Sequence, residues 1–218
     1  MPVTIARPAF AVAIALLVLG TLLRAAFFLW HPPFTTDFFD YDAVRPWAGT
    51  WYVFHMAVGA PGFAALFIGL AAVTATLTRQ RGGLLGVVGG IIGAVGGLAF
   101  AFGLAAEGAL WGWALDPSVI DPEAGAALLR GIEAGPPLTS LMLVIAGSVV
   151  TPIGVLLQLI ALGVSRSVPL WLPIATTVIL LLTLVPVQAL DAPRTVLESA
   201  ALLAIAVFAV RWRGRAAA

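Results

Sequence analysis

The chain is poor in several residue types, and each scarcity excludes a class of chemistry. It contains no cysteine, which excludes disulfides, thiolate metal sites, a cysteine nucleophile and a dithiol redox pair. Charged residues make up only 10% of its 218 residues, whereas about a quarter is usual in soluble domains. So few charges cannot cover a water-facing surface, so lipid must cover much of the protein.

The basic residues are also unusual, because lysine is absent and arginine supplies all 11 of them. The formal net charge is only +1, and no basic face can be assembled along the sequence. Since nucleic-acid binding depends on neutralising phosphates, a nucleic-acid partner is not expected.

The hydrophobic content is 61% and the mean hydropathy is +1.09. A helix needs about 20 apolar residues to cross the roughly 30 Å hydrocarbon core of a bilayer. We therefore predict an all-α, polytopic integral membrane bundle that forms a single domain over residues 1–218. The six predicted spans cover residues 9–30, 51–77, 83–115, 138–163, 170–190 and 195–211.

The placement of arginine predicts the orientation. With both termini in the cytoplasm, seven arginines fall in inner segments (Arg7, Arg79, Arg81, Arg166, Arg211, Arg213, Arg215) and three in outer loops (Arg45, Arg130, Arg194). This distribution follows the positive-inside rule, and all the acids outside the spans fall on the outer side. We expect the plasma (cytoplasmic) membrane as the location.

Two predicted outer loops are long, at residues 31–50 and 116–136. The second carries the start signal of a short helix, because Asp121 can cap its N-terminus and Pro122 suits its first position. The apolar side chains of Leu128, Leu129 and Ile132 would then face the bundle or the membrane surface.

Glycines recur at four-residue spacing in the third predicted span. Small residues at this spacing let helices approach closely in lipid. We expect helix packing at the glycines of this span, which are Gly86, Gly89, Gly90, Gly93 and Gly97. The packing could be internal, or it could form the face of a homo-oligomer.

Prolines interrupt three of the predicted spans. They are Pro61, Pro152, Pro173 and Pro186. Each removes a backbone hydrogen bond, and Pro61 is the strongest candidate for a helix break because Gly59 and Gly62 flank it.

Polar residues inside the predicted spans are the strongest functional signal. They are Arg24, His55, Glu107, Gln188 and Glu198. A rise of about 1.5 Å per residue places Arg24 about 9 Å below the predicted outer boundary, and His55 and Glu107 about 6 Å below it. Gln188 and Glu198 lie within about a turn of the outer loop. All five are therefore predicted to share the outer third of the membrane.

Two interpretations of this cluster stay open. Charges inside a bilayer are usually paired or face a cavity. In the first interpretation Arg24 forms a structural ion pair with Glu107 or Glu198, of which Glu107 is favoured. In the second the cluster lines an outward-facing pocket for a small solute, an ion or a lipid head group.

Catalytic and metal sites are poorly supported, and no cofactor is expected. A catalytic zinc needs three protein ligands, and only His31, His55 and Glu107 could supply them. The serine of the fourth span, Ser148, invites comparison with rhomboid proteases, but the sixth span contains no histidine to act as its base.

The leading functional hypothesis is a membrane protein that binds or transports a small solute or lipid at the polar cluster. The alternative is a non-catalytic accessory subunit that packs against a membrane protein partner. An intramembrane enzyme is the least favoured class.

Overall fold

The computed structural model describes residues 7–30, 41–134, 139–182 and 190–217. These residues are helical almost throughout, with no strand among them. The helices are α1 (Arg7–Leu29), α2 (Tyr41–Leu77), α3 (Gly83–Ala114), α4 (Pro122–Ala134), α5 (Thr139–Ser165), α6 (Trp171–Leu182) and α7 (Asp191–Ala217).

Five of these helices are long and apolar enough to cross a membrane, namely α1, α2, α3, α5 and α7. The predicted fifth span corresponds to α6, whose described part has 12 residues. Residues 183–189, which include Pro186 and Gln188, lie outside the described part of the chain.

Two helices extend beyond the predicted spans by more than a turn. Helix α2 begins at Tyr41 rather than at residue 51, so half of the first predicted loop is helical. Helix α7 begins at Asp191 and continues through the terminal arginines instead of covering only residues 195–211. Apolar runs mark only the lipid-buried part of a helix, whereas polar residues can continue the same backbone structure.

The predicted break at Pro61 is a local distortion within α2. Residues Phe54–Gly59 form a π-helical turn directly before it, and the helix then continues to Leu77. A proline lacks the N–H for the normal hydrogen bond, and the wider turn accommodates that loss. Helix α5 likewise continues through Pro152.

Helices α1 and α2 pack antiparallel through glycines that leave no room for a side chain. A Cβ at Gly20 would meet the backbone of Leu66, and a Cβ at Gly69 would meet the backbone of Leu17. Close approach of this kind increases van der Waals contact, which stabilises helix pairs in lipid.

Helix α3 lies between α2 and α5, and its glycines face both neighbours. On the α2 side, Gly86 contacts Thr78, Gly90 contacts Ala71 and Gly97 contacts Phe67. On the α5 side, a Cβ at Gly89 would lie 2.7 Å from Leu157 Cβ, and one at Gly93 would lie 2.8 Å from Gln158 Nε2. The five glycines therefore lie within the bundle of a single chain.

The two ends of the bundle differ in charge. One end, here called the arginine end, holds the first residue of α1, the α2–α3 and α5–α6 connections and the last turns of α7. Its described charged residues are Arg7, Arg79, Arg81, Arg166, Arg211 and Arg213. Arg213 lies over the ring of Phe10, 4.6 Å from its centroid, which brings α7 and α1 together there.

The opposite end, here called the acidic end, holds the start of α7 and all the described acids outside the helix interiors. Helix α4 packs on this end as the sequence predicts. Asp121 Oδ1 accepts a hydrogen bond from the Glu123 N–H at 3.0 Å, and Pro122 is the first helical residue. Leu129 is buried against a cluster that includes Trp51 and Trp111.

Candidate functional site

Arg24 forms a buried ion pair with Glu198 near the acidic end. Arg24 Nη2 lies 2.7 Å from Glu198 Oε2, and the two side chains are 11% and 16% exposed. The guanidinium also lies over the ring of Phe28, 4.8 Å from its centroid. Because α1 and α7 run antiparallel, the last turns of one helix meet the first turns of the other, which aligns these two residues.

The ion pair leaves part of Arg24 unsatisfied. Its Nη1 atom is buried and has no hydrogen-bond partner among the described residues. A buried donor without a partner costs about 1–3 kcal/mol, and the ion pair with Glu198 offsets part of that cost.

A cavity of about 400 Å³ lies beside the pair. It is bounded by α1, α2, α3, α5, α6 and α7, and it lies between α5 and α7. It reaches the protein surface, because Ser148 and Asp191 line it and are exposed. Its volume falls within the usual range of small-molecule sites, about 300–1,000 Å³. The lining residues are Arg24, Phe28, Phe63, Leu66, Phe67, Leu70, Phe100, Gly147, Ser148, Thr151, Pro152, Val155, Thr176, Leu180, Asp191, Arg194, Thr195, Glu198 and Leu202.

The walls of the cavity are mostly apolar. Aromatic rings come from α1, α2 and α3, and aliphatic side chains come from α2, α5, α6 and α7. The charged residues come from the end of α1 and the start of α7. The cavity is therefore amphipathic, with charged groups toward the acidic end and rings and aliphatic groups along its length.

Among the hydroxyls of the lining, Thr151 stands apart. The hydroxyls of Thr176, Thr195 and Ser148 each donate to a carbonyl of their own helix, at 2.8 Å. Thr151 is 7% exposed, and its Oγ1 atom has no partner among the described residues. Pro152 follows it and has no N–H to donate to the Ser148 carbonyl, which leaves a second acceptor without its usual helical bond.

A second ion pair lines the cavity on α7. Arg194 Nη2 lies 3.5 Å from Asp191 Oδ1, and the Arg194 side chain is 10% exposed. From the sequence, both residues were expected in or beside an outer loop, and neither was identified as a candidate site residue. The signal was available in their spacing, because residues 191, 194, 195, 198 and 202 recur at helical intervals and share one face.

His55 lies in the aromatic packing of the acidic end and does not line the cavity. Its ring stacks on Trp51 at 4.4 Å between centroids and meets the edge of Phe27 at 5.0 Å. Its Nδ1 atom lies 2.9 Å from the Trp51 carbonyl oxygen, to which it donates. The residue is buried, and Gly108 of α3 packs against its Cβ atom.

Glu107 is not the partner of Arg24, so the favoured pairing was wrong. It is half-buried on α3, it does not line the cavity, and it has no ion pair with a described residue. Helices α1 and α3 pack on opposite sides of α2 rather than on each other. A similar predicted depth therefore does not bring Arg24 and Glu107 together. Gln188 lies outside the described residues.

The arrangement is that of a ligand-binding cavity, and no reaction centre is evident among the described residues. The described residues contain no group of three His, Asp or Glu side chains placed to hold a metal ion. Ser148 donates its hydroxyl proton to the Ile145 carbonyl, and the one described histidine, His55, is not a lining residue. Comparison of the chain with family models, with curated proteins and with solved structures gives no match.

Proposed function

We propose that the protein is a six-span membrane protein with both termini in the cytoplasm, in the plasma membrane. The charge difference between the two ends supports this orientation, because arginines concentrate on the cytoplasmic side of membrane proteins. In this arrangement α6 belongs to the fifth span, and the cavity lies toward the outer side.

Within this frame, the protein binds a small amphipathic molecule or a lipid in the cavity beside Arg24. The observation that carries the proposal is the cavity itself, with its apolar walls and the charged and hydroxyl side chains that line it toward the acidic end. Apolar walls hold a hydrocarbon part, and a few placed polar groups fix its orientation.

The cavity favours a binding protein over an accessory subunit that only packs against a partner. Packing alone requires no void between α5 and α7, and unfilled apolar space in a bundle is destabilising.

A fluorophore placed at the cavity mouth tests the proposal. Because the chain has no cysteine, Ser148→Cys creates a unique labelling site on a lining residue. The matched control is Val149→Cys, which is 59% exposed on the same helix and does not line the cavity.

In phosphatidylcholine nanodiscs, titration with 1-oleoylglycerol should change the emission at position 148 and reach saturation. The label at position 149 should show only the linear change caused by partitioning into the bilayer. A linear response at both positions, with no saturation, would contradict the proposal.

A further inference from the structure

The charges that line the cavity cancel. Arg24 is paired with Glu198 at 2.7 Å, and Arg194 is paired with Asp191 at 3.5 Å. Both arginines are buried, whereas Glu198 is half-buried and Asp191 is exposed. A ligand that enters therefore meets two cations whose charges are already balanced by protein carboxylates.

An anionic head group would be opposed at this site. To reach Arg24 it must lie within a few ångströms of the Glu198 carboxylate, and like charges in a poorly solvated site repel strongly. A cationic head group that approaches either carboxylate is opposed in the same way, because the paired arginine lies within 2.7 Å of Glu198 and 3.5 Å of Asp191. Discrimination of this kind acts by repulsion of the wrong ligand rather than by attraction of the right one.

An uncharged head avoids both repulsions. The Ser148 hydroxyl oxygen, on an exposed lining residue, can accept from a ligand hydroxyl. The Ser148 carbonyl, which Pro152 leaves without its helical bond, can accept in the same way. An alcohol head is therefore satisfied without adding a charge to the cavity.

The cavity has room for only part of one hydrocarbon chain. At roughly 30 Å³ for each water-sized group, a cavity of about 400 Å³ holds about 13 such groups. That corresponds to a small head and part of a single hydrocarbon tail beside the rings of Phe63, Phe67 and Phe100. A longer tail can continue out of the cavity into the bilayer.

We propose that the site selects an uncharged, single-chain amphipath with oxygen atoms in its head, and that Glu198 excludes anionic head groups. This inference rests on the proposed binding function and adds the ligand class and the residue that selects it. The head lies beside the Arg24–Glu198 pair and Ser148, and the tail lies along the aromatic wall.

Three probes with the same tail test this selectivity at the labelled Ser148→Cys position. They are 1-oleoylglycerol, oleyl phosphate and oleylamine, each titrated at low mole fraction into phosphatidylcholine nanodiscs. We expect 1-oleoylglycerol to saturate the site at a concentration at least tenfold lower than either charged probe. Equal or tighter saturation by oleyl phosphate or by oleylamine would overturn the selectivity and leave the binding function standing. No saturation by any probe would contradict the binding function itself.

The variant Glu198→Gln tests whether Glu198 causes the selectivity. The amide oxygen can still accept from Arg24, but the cavity now carries an unbalanced positive charge. In this variant oleyl phosphate should saturate at a concentration at least tenfold lower, relative to 1-oleoylglycerol, than in the unsubstituted protein. An unchanged preference for 1-oleoylglycerol over oleyl phosphate would show that Glu198 does not cause the selectivity.

Discussion

Arg24 of α1 and Glu198 of α7 form an ion pair that connects residues 174 positions apart in the sequence. The pair closes the bundle, because it links its first and last helices. It also borders the cavity, so the same contact affects both stability and recognition.

Removing one partner of this pair should destabilise the protein strongly. Glu198→Leu or Arg24→Met alone should cost about 3–5 kcal/mol, because each leaves a buried charge without compensation. The double variant should recover much of the loss. Thermal unfolding in detergent, analysed as a double-mutant cycle, measures the coupling. Additive effects of the two substitutions would show that the pair contributes no coupling.

Glu107→Gln serves as the control for that cycle. Glu107 has no ion pair with a described residue, so its substitution should show no coupling to Arg24→Met. A coupling energy above about 0.5 kcal/mol would show that the two residues interact after all.

The contact between α3 and α5 should not tolerate a larger side chain. Gly93→Leu would drive a side chain into Gln158 and the backbone of Gly154, and should destabilise the bundle by about 1–3 kcal/mol. Val95→Leu on the same helix is the control, because Val95 is 59% exposed. Equal melting temperatures for the two variants would contradict the close packing of α3 and α5.

His55 should be important for folding and unimportant for binding. His55→Leu removes its bond to the Trp51 carbonyl and its stacking, and should cost on the order of 2 kcal/mol. Saturation by 1-oleoylglycerol should be unchanged at temperatures where the variant is folded. Loss of binding in the folded variant would place His55 in the site.

Reporter fusions test the orientation. Fusions within residues 79–82 and at the C-terminus should report the cytoplasm, and fusions within residues 118–134 should report the outside. A C-terminus outside the cell would rule out the six-span arrangement, whatever the cavity binds.

The long apolar helices and the difference in charge between the two ends could be predicted from the sequence alone. Apolar runs of about 20 residues mark segments that can cross lipid, and the start of α4 follows from the side chain of Asp121 and the fixed backbone of Pro122. These features depend on the chemistry of neighbouring residues, which is known directly from the sequence.

The neighbours of each helix could not be read in the same way. Arg24, His55 and Glu107 share a similar predicted depth, but depth along the bundle axis does not give position around it. Because helix α2 lies between α1 and α3, Glu107 is kept apart from Arg24, which pairs with Glu198 instead. The sequence led to the hypothesis of an outward-facing pocket at the polar cluster, of which Arg24 and Glu198 do line the cavity. The rest of the lining could not be predicted, because it results from how six helices pack together.

The most direct test of the binding function is to fill the cavity and ask whether a ligand is lost. Val155→Phe adds volume at a buried lining residue, and Ile153→Phe adds the same group at a position on α5 that is 52% exposed. Native mass spectrometry of protein released from its own membrane should show an additional bound mass for the unsubstituted protein and for Ile153→Phe, and none for Val155→Phe. The same bound mass in all three proteins, or no bound mass in any of them, would contradict a ligand in the cavity beside Arg24.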